Sequence, residues 1–285
     1  MQKLTSILAV LDRQATAGRV LRKAVEIARH FAAQLELLAI EPVTSGKLIS
    51  QCTALGYPHI AVRTVSRLGR RLDDVVLEYI GRCNPDLVIK ARAGAHPVRP
   101  TTLTPNDWNL AQSCTVPLML VGGRSWAKSP RFAAAVDVSD AATITVARAV
   151  MQAAGFLALG SHGHLDVLYT ESEQHDSALR MERAVNLSRL VREFHVGCER
   201  LQMFDGVPEK RLPPLIASRH YDLLLLGAVT HHDGLLDNLF PLTSKLVDAT
   251  PGDVLLVKAS VPAWREAATR ASLREQGPHQ SQQLV

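Results

Sequence analysis

The chain has 285 residues, long for one compact domain and closer to two at the usual ~100 to 200 residues each. Its 47% apolar and 21% charged residues fit a globular protein. Four cysteines without a Cys-x2-Cys pair exclude the thiolate zinc and redox-dithiol signatures, and a net charge of +5 is too modest to argue for nucleic acid by itself.

The charge is uneven along the chain. Residues 1–130 carry 17 Lys and Arg against 9 Asp and Glu, whereas residues 131–260 carry 12 against 16. A basic first half could meet an anionic partner or nucleic acid, but its arginines are scattered and no aromatic residues are interleaved with them, so a solvated surface is the simpler expectation. No run of ~18 apolar residues stands out as a membrane span, and the opening "MQKLTSILAVLDRQ" lacks a cleavage pattern. Both observations place the chain in the cytoplasm, with no membrane insertion.

In chain order, Ile7 to Leu11 reads as an apolar strand ending at Asp12, and "AGRVLRKAVEIARHFAAQ" as a helix with Val20, Ala24, Ile27, Ala28 and Phe31 on one face. "LELLAIE" is a second strand, followed by an abbreviated connection containing Gly and Pro. Strand three is "HIAVRTV", the third helical segment "RLDDVVLEYIGRC", and the fourth strand "DLVIKA". Thr104 with Pro105 opens the helix "TPNDWNLAQSC", and "VPLMLVG" is a fifth strand. Arg70 and Arg71 flank an exposed helix face, and Trp108 is a packing residue.

A second series follows a linker at Gly122 to Ser129. "RFAAAVD" ends at Asp137, "SDAATITVARAVMQAAG" is its helix, and "FLALGSHG" reads as strand two. Then come the helix "SALRMERAVNLSRLVREF", strand "ERLQMF", a helix made short or irregular by Pro213 and Pro214, strand "DLLLLG", a helix at "TSKLVDAT" and strand "DVLLVKA". Residues 261–285 form a polar tail. The two series are one unit used twice. Asp86 and Asp222 stand 136 residues apart, as do Val121 and Val257, while Asp12 and Asp137 stand 125 apart. The organisation is therefore 1–123, 130–260 and the tail, with strands apolar on both faces, as in parallel sheets covered by helices.

"DLVIK" followed by "TLTPNDWNL" and "CTVPLMLV", together with the strand-one ends at Asp12 and Asp137, resembles the tandem universal stress proteins of the E type. That resemblance covers residues 3–258. It implies two universal-stress-type (adenine nucleotide alpha hydrolase-like) α/β domains, each a five-stranded parallel sheet of order 3-2-1-4-5 with helices on both faces, packed through their fifth strands as an intramolecular pseudo-dimer; a homodimer is a further possibility. ATP-binding members carry Gly-x2-Gly-x9-Gly-[Ser/Thr] after strand four. Here Gly227 keeps the first position, Thr230 replaces the second glycine, Phe240 and Pro241 stand at the closing pair, and Thr243 and Ser244 supply hydroxyls only in a longer loop. In the first half only Gly94 survives.

The resemblance thus implies a non-enzymatic, ligand-sensing or scaffold stress-response module. The alternatives are an ATP-binding switch using Asp137, Val138, Gly227, Thr230, Thr243 and Ser244, or an anion binder using the basic half. Asp12 and Asp137 either approach an adenosine or begin a loop or helix cap. His162, His164, His231 and His232, with Asp233, would converge as zinc ligands if their two turns share one rim of the sheet; otherwise they are loop histidines. No catalytic motif occurs.

Overall fold

The computed structural model describes residues 4–43, 45–57, 60–67, 69–92, 103–171, 176–194, 198–228 and 239–259. The first half runs β1 (Ser6–Leu11), α1 (Gln14–Phe31), β2 (Gln34–Ile40), α2 (Ser45–Ala54), β3 (Ala61–Val65), α3 (Leu72–Cys83), β4 (Leu87–Ala91), α4 (Pro105–Ser113) and β5 (Leu118–Val121). The second runs β6 (Arg131–Ala135), α5 (Ala141–Gly160), β7 (His164–Glu171), α6 (Ser177–Glu193), β8 (Cys198–Asp205), α7 (Pro208–Arg219), β9 (Leu223–Gly227), α8 (Leu239–Ala249) and β10 (Asp253–Val257).

Each half has the order 3-2-1-4-5, but the halves do not form separate sheets. One ten-stranded sheet runs β3-β2-β1-β4-β5-β10-β9-β6-β7-β8. Every pair is parallel except β5 with β10, where Met119 lies opposite Leu255 in antiparallel register. Two apolar layers cover the sheet, and each crosses from one half to the other. On one face Ile27, Leu37 and Met119 join Met151, Leu157 and Leu225; on the other Val76, Val88 and Leu118 join Ile216, Leu224 and Val247. The rings of Phe31 and Phe156 stack 4.7 Å apart across the join of α1 and α5.

Three local expectations are corrected. The abbreviated connection after β2 contains α2, whose Leu48 and Cys52, one turn apart, are buried. "FLALGSHG" is not a strand: Phe156 to Gly160 continue α5, because an Ala- and Leu-rich run extends a helix as readily as it forms a strand, and β7 begins only at His164. Pro213 and Pro214 lie inside a continuous twelve-residue α7. The extension makes α5 long and apolar enough to cross a membrane by length and composition, against the expectation of no such stretch, but half of it is buried inside the protein.

The β5·β10 join is sealed by buried polar groups. Asp253 accepts the Gly122 amide at 2.8 Å and the Trp126 indole at 2.9 Å, and Lys23 lies 3.3 Å away. Burial pushes the Asp253 carboxyl up, while Lys23, the Gly122 amide and Trp126 pull against that. Gly122 and Gly252 let the backbones meet: a Cβ on Gly122 would sit 2.5 Å from the Gly252 carbonyl oxygen.

Each half also sends a buried cation to the end of the other half's last helix. Arg92, after β4, donates to the carbonyls of Val247, Thr250 and Gly252 at 2.7 to 3.0 Å. Lys258, after β10, donates to Gln112 near the end of α4 at 2.5 Å. Helix carboxyl ends carry unpaired carbonyls and partial negative charge, so both contacts are favourable.

Burial pushes the Lys258 ammonium down from 10.5 to about 8. The unfolded chain therefore holds this proton between pH 8 and 10.5 where the folded chain has released it, and the cost of burying the ammonium, complete below pH 8, is relieved as pH rises. Denaturant melts of wild type and Lys258→Met should show the wild type gaining on the variant by about 1 to 3 kcal/mol from pH 7 to pH 10.

Candidate functional site

In a parallel sheet, ligands gather where neighbouring strands send their chains in opposite directions, at the carboxyl ends. Two such points exist here, between β1 and β4 and between β6 and β9. They are equivalent by register: Val10 pairs with Lys90 in the first half, and Ala135 with Leu226 in the second.

The first point is filled. Lys90 is buried within an otherwise apolar strand and places its Nζ 3.0 Å from Asp12 and 2.6 Å from Asp107. Asp107 does two jobs. One oxygen faces Lys90; the other accepts the Thr104 amide at 3.0 Å and the Thr104 hydroxyl at 2.7 Å, completing the capping box that opens α4. Asp12 therefore serves an internal ammonium and does not cap α1, whose cap position is Arg13.

The second point lacks this plug. Leu226 stands for Lys90 and Thr243 for Asp107, leaving Asp137 half-buried at the rim. Its Oδ1 accepts the Ser139 amide at 2.9 Å in a local turn, while Asp140 provides the capping box of α5 with Thr143. Asp137 thus begins the loop and caps nothing. Val138 beside it is buried. At the end of β7, Tyr169 donates to Glu171 at 2.9 Å, and Arg183 of α6 pairs with the same carboxylate. Burial, Glu171 and, more weakly, Asp137 push the Tyr169 phenol up.

The phosphate positions are reassigned. A Cβ on Gly227 would lie 2.2 Å from Val146 Cγ1, so this glycine lets helix α5 approach closely. Thr243 and Ser244 do not sit at a helix N-terminus as the longer-loop reading required: α8 begins at Leu239, placing them a full turn inside it. Thr230 lies outside the described residues, as do His231, His232 and Asp233.

Convergence on zinc required the two histidine turns to share one rim, and the register of β7 places His162 and His164 at the other end of the sheet from the end of β9. His164 opens β7 opposite Arg131, at the amino end of β6, while Asp137 follows its carboxyl end. Five strand residues at ~3.3 Å each separate them, about 16 Å. There the Ser129 hydroxyl donates to the His162 carbonyl at 2.8 Å and lies 3.0 Å from His164 Nε2. Among the described residues no three His, Cys, Asp or Glu side chains group as metal ligands. Arg70 and Arg71 pair with Glu78 and Asp73 at the surface, and Trp108 packs half-buried against the core.

No family model matches the chain. A universal stress protein E homolog of Haemophilus influenzae is 21% identical over 174 residues, covering 55% of this chain and 56% of that protein, so the match spans about half of the relative's length. A putative universal stress protein from Pseudomonas aeruginosa superposes with a TM-score of 0.76 at 21% identity, over 96% of this chain and 98% of that one. A universal stress protein from Archaeoglobus fulgidus gives 0.66 at 13% identity, over 88% and 98%. The chain has the universal stress protein fold over nearly its whole length.

Removing Lys90 would leave Asp12 and Asp107 buried together without a cation. In urea melts Lys90→Met should cost about 3 to 5 kcal/mol, and adding Asp12→Asn should recover part of that loss.

Proposed function

We propose that the chain is a tandem universal stress protein of the E type, cytoplasmic and non-catalytic, acting as a ligand-sensing or scaffold module. Its first switch point is closed by its own lysine, and its second is the rim that remains for a ligand. The observation that carries this reading is the asymmetry of equivalent positions: a buried ammonium held by two carboxylates in one half, and in the other Leu226 at the lysine position with Asp137 half-buried.

The resemblance to universal stress proteins supports the family assignment, and Thr230, Phe240 and Pro241 at the other motif positions speak against a triphosphate cradle. Both carboxylates at the first point are engaged by Lys90, and Glu171 is engaged by Tyr169 and Arg183, which supports a role without catalysis. α5 lies on the sheet as a core helix, in keeping with a cytoplasmic chain.

The test is a titration of the full chain with ATP and magnesium, read by melting temperature and by phosphate release. Saturating ligand at ~100 times its Kd would stabilise by about 2.7 kcal/mol, several degrees at this size. The reading expects no saturable shift at millimolar ATP and no phosphate release above the blank. A saturable shift lost in Asp137→Ala but kept in Asp12→Ala would replace it with an ATP switch in the second half.

A further inference from the structure

The two ends of the ten-stranded sheet are finished differently. At the β3 edge, Arg63 and Thr64 are exposed, and Val62 packs into the core layer to which α2 contributes Leu48 and Cys52. Charged side chains on an edge strand, with a helix over it, are a usual defence against further pairing.

At the β8 edge Arg200 and Asp205 are exposed as well, but Leu201 and Met203 between them are also open. Phe204 packs on the face of α3, α4, α7 and α8. Strand alternation therefore turns Leu201 and Met203 to the face of α6, where each is 41% exposed. Above them α6 buries only Leu187 and Leu190 among its described side chains, on its inner side. Its outward flank exposes Met181 at 68% and Val185 at 48% beside a groove of about 640 Å³ that Ala184, Ser188 and Arg192 also line. Among the described residues, edge and flank together form a partly exposed apolar corner.

The charges of this corner are polarised. α6 runs antiparallel to β8, so its start lies beside the end of the strand, where Asp176, Glu182 and Asp205 are exposed and Arg180 pairs with Asp205. Its end exposes Arg189 and Arg192, while Glu193 there is paired with Arg148 of α5. One end of the flank is acidic and the other basic.

We propose that this corner is a self-association surface, with β8 pairing antiparallel to β8 of a second copy and the two α6 helices packing side by side above the pair. A twofold axis through the strand would set the acidic end of one corner against the basic end of the other, place Leu201 opposite Met203, and bring the Met181 and Val185 flanks together. The free backbone groups of an eight-residue edge strand would be satisfied at the same time. This inference stands apart from the ligand reading, since no rim residue takes part.

Sedimentation of the full chain from about 1 to about 100 µM tests it. Wild type should shift from monomer to dimer within that range. Met203→Lys on the strand and Val185→Glu on the helix should each weaken the dimer at least ~10-fold with unchanged melting temperature of the monomer. Arg189→Glu with Arg192→Glu should weaken it too, and adding Glu182→Lys with Asp205→Lys should restore it to within ~3-fold, because the swapped ends again face opposite signs. A wild type that stays monomeric throughout overturns the proposal. So does a dimer indifferent to Met203→Lys and Val185→Glu, and a charge reversal that the compensating pair does not rescue overturns the antiparallel arrangement.

Discussion

A helix that ends inside a protein leaves carbonyls that water cannot reach, and both halves of this chain face that problem beside the β5·β10 join. The solution is reciprocal: Arg92 of the first half closes the end of α8, and Lys258 of the second closes the end of α4. Each cation is buried and would be costly without those carbonyls. Neither half is therefore satisfied alone. The antiparallel strand pair, the Asp253 contacts and the two apolar layers that run through the join follow the same logic.

That join also shapes how the two switch points differ. Lys90 and Arg92 bracket the end of β4, one directed to Asp12 and Asp107 and the other to α8. A strand end committed in both directions has little left to offer a ligand. At the end of β9 the corresponding residues are Leu226 and Ala228, which carry no charge, and the rim keeps Asp137. The two halves thus differ at equivalent positions, with a buried ion pair in one and uncharged residues in the other. Once the fifth strands are consumed in the join, β3 and β8 are the two ends of the sheet, and the β8 end exposes Leu201 and Met203.

Parts of the site were legible beforehand and parts were not. Thr104 followed by Pro105 announced the start of α4, and the capping box is there. A lysine within "DLVIKA" was a usable signal, because an ammonium in a strand buried on both faces must find a carboxylate; the partner's identity was not readable, since Asp107 lies 17 residues on and meets Lys90 only through the fold. The position of the histidines turns on a strand boundary: eight residues of shift in β7 carry His162 and His164 from one end of the sheet to the other. Gly227 kept a motif position while serving helix packing, a distinction that needs the position of Val146.

The sequence by itself determined most of the alternation of strand and helix, because that rests on local periodicity and on apolar runs that only a covered parallel sheet can bury, while the order within each half came only from what the family resemblance implies. The tertiary structure alone decided that the halves share one sheet, that the first switch point is filled by an ion pair, and which rim each loop occupies. Those features depend on contacts between residues from 17 to 160 positions apart, such as Lys90 with Asp107 and Arg92 with Gly252. No local pattern encodes such pairings: they are selected by the desolvation cost of buried charge and of unpaired carbonyls, and only the assembled core imposes that cost.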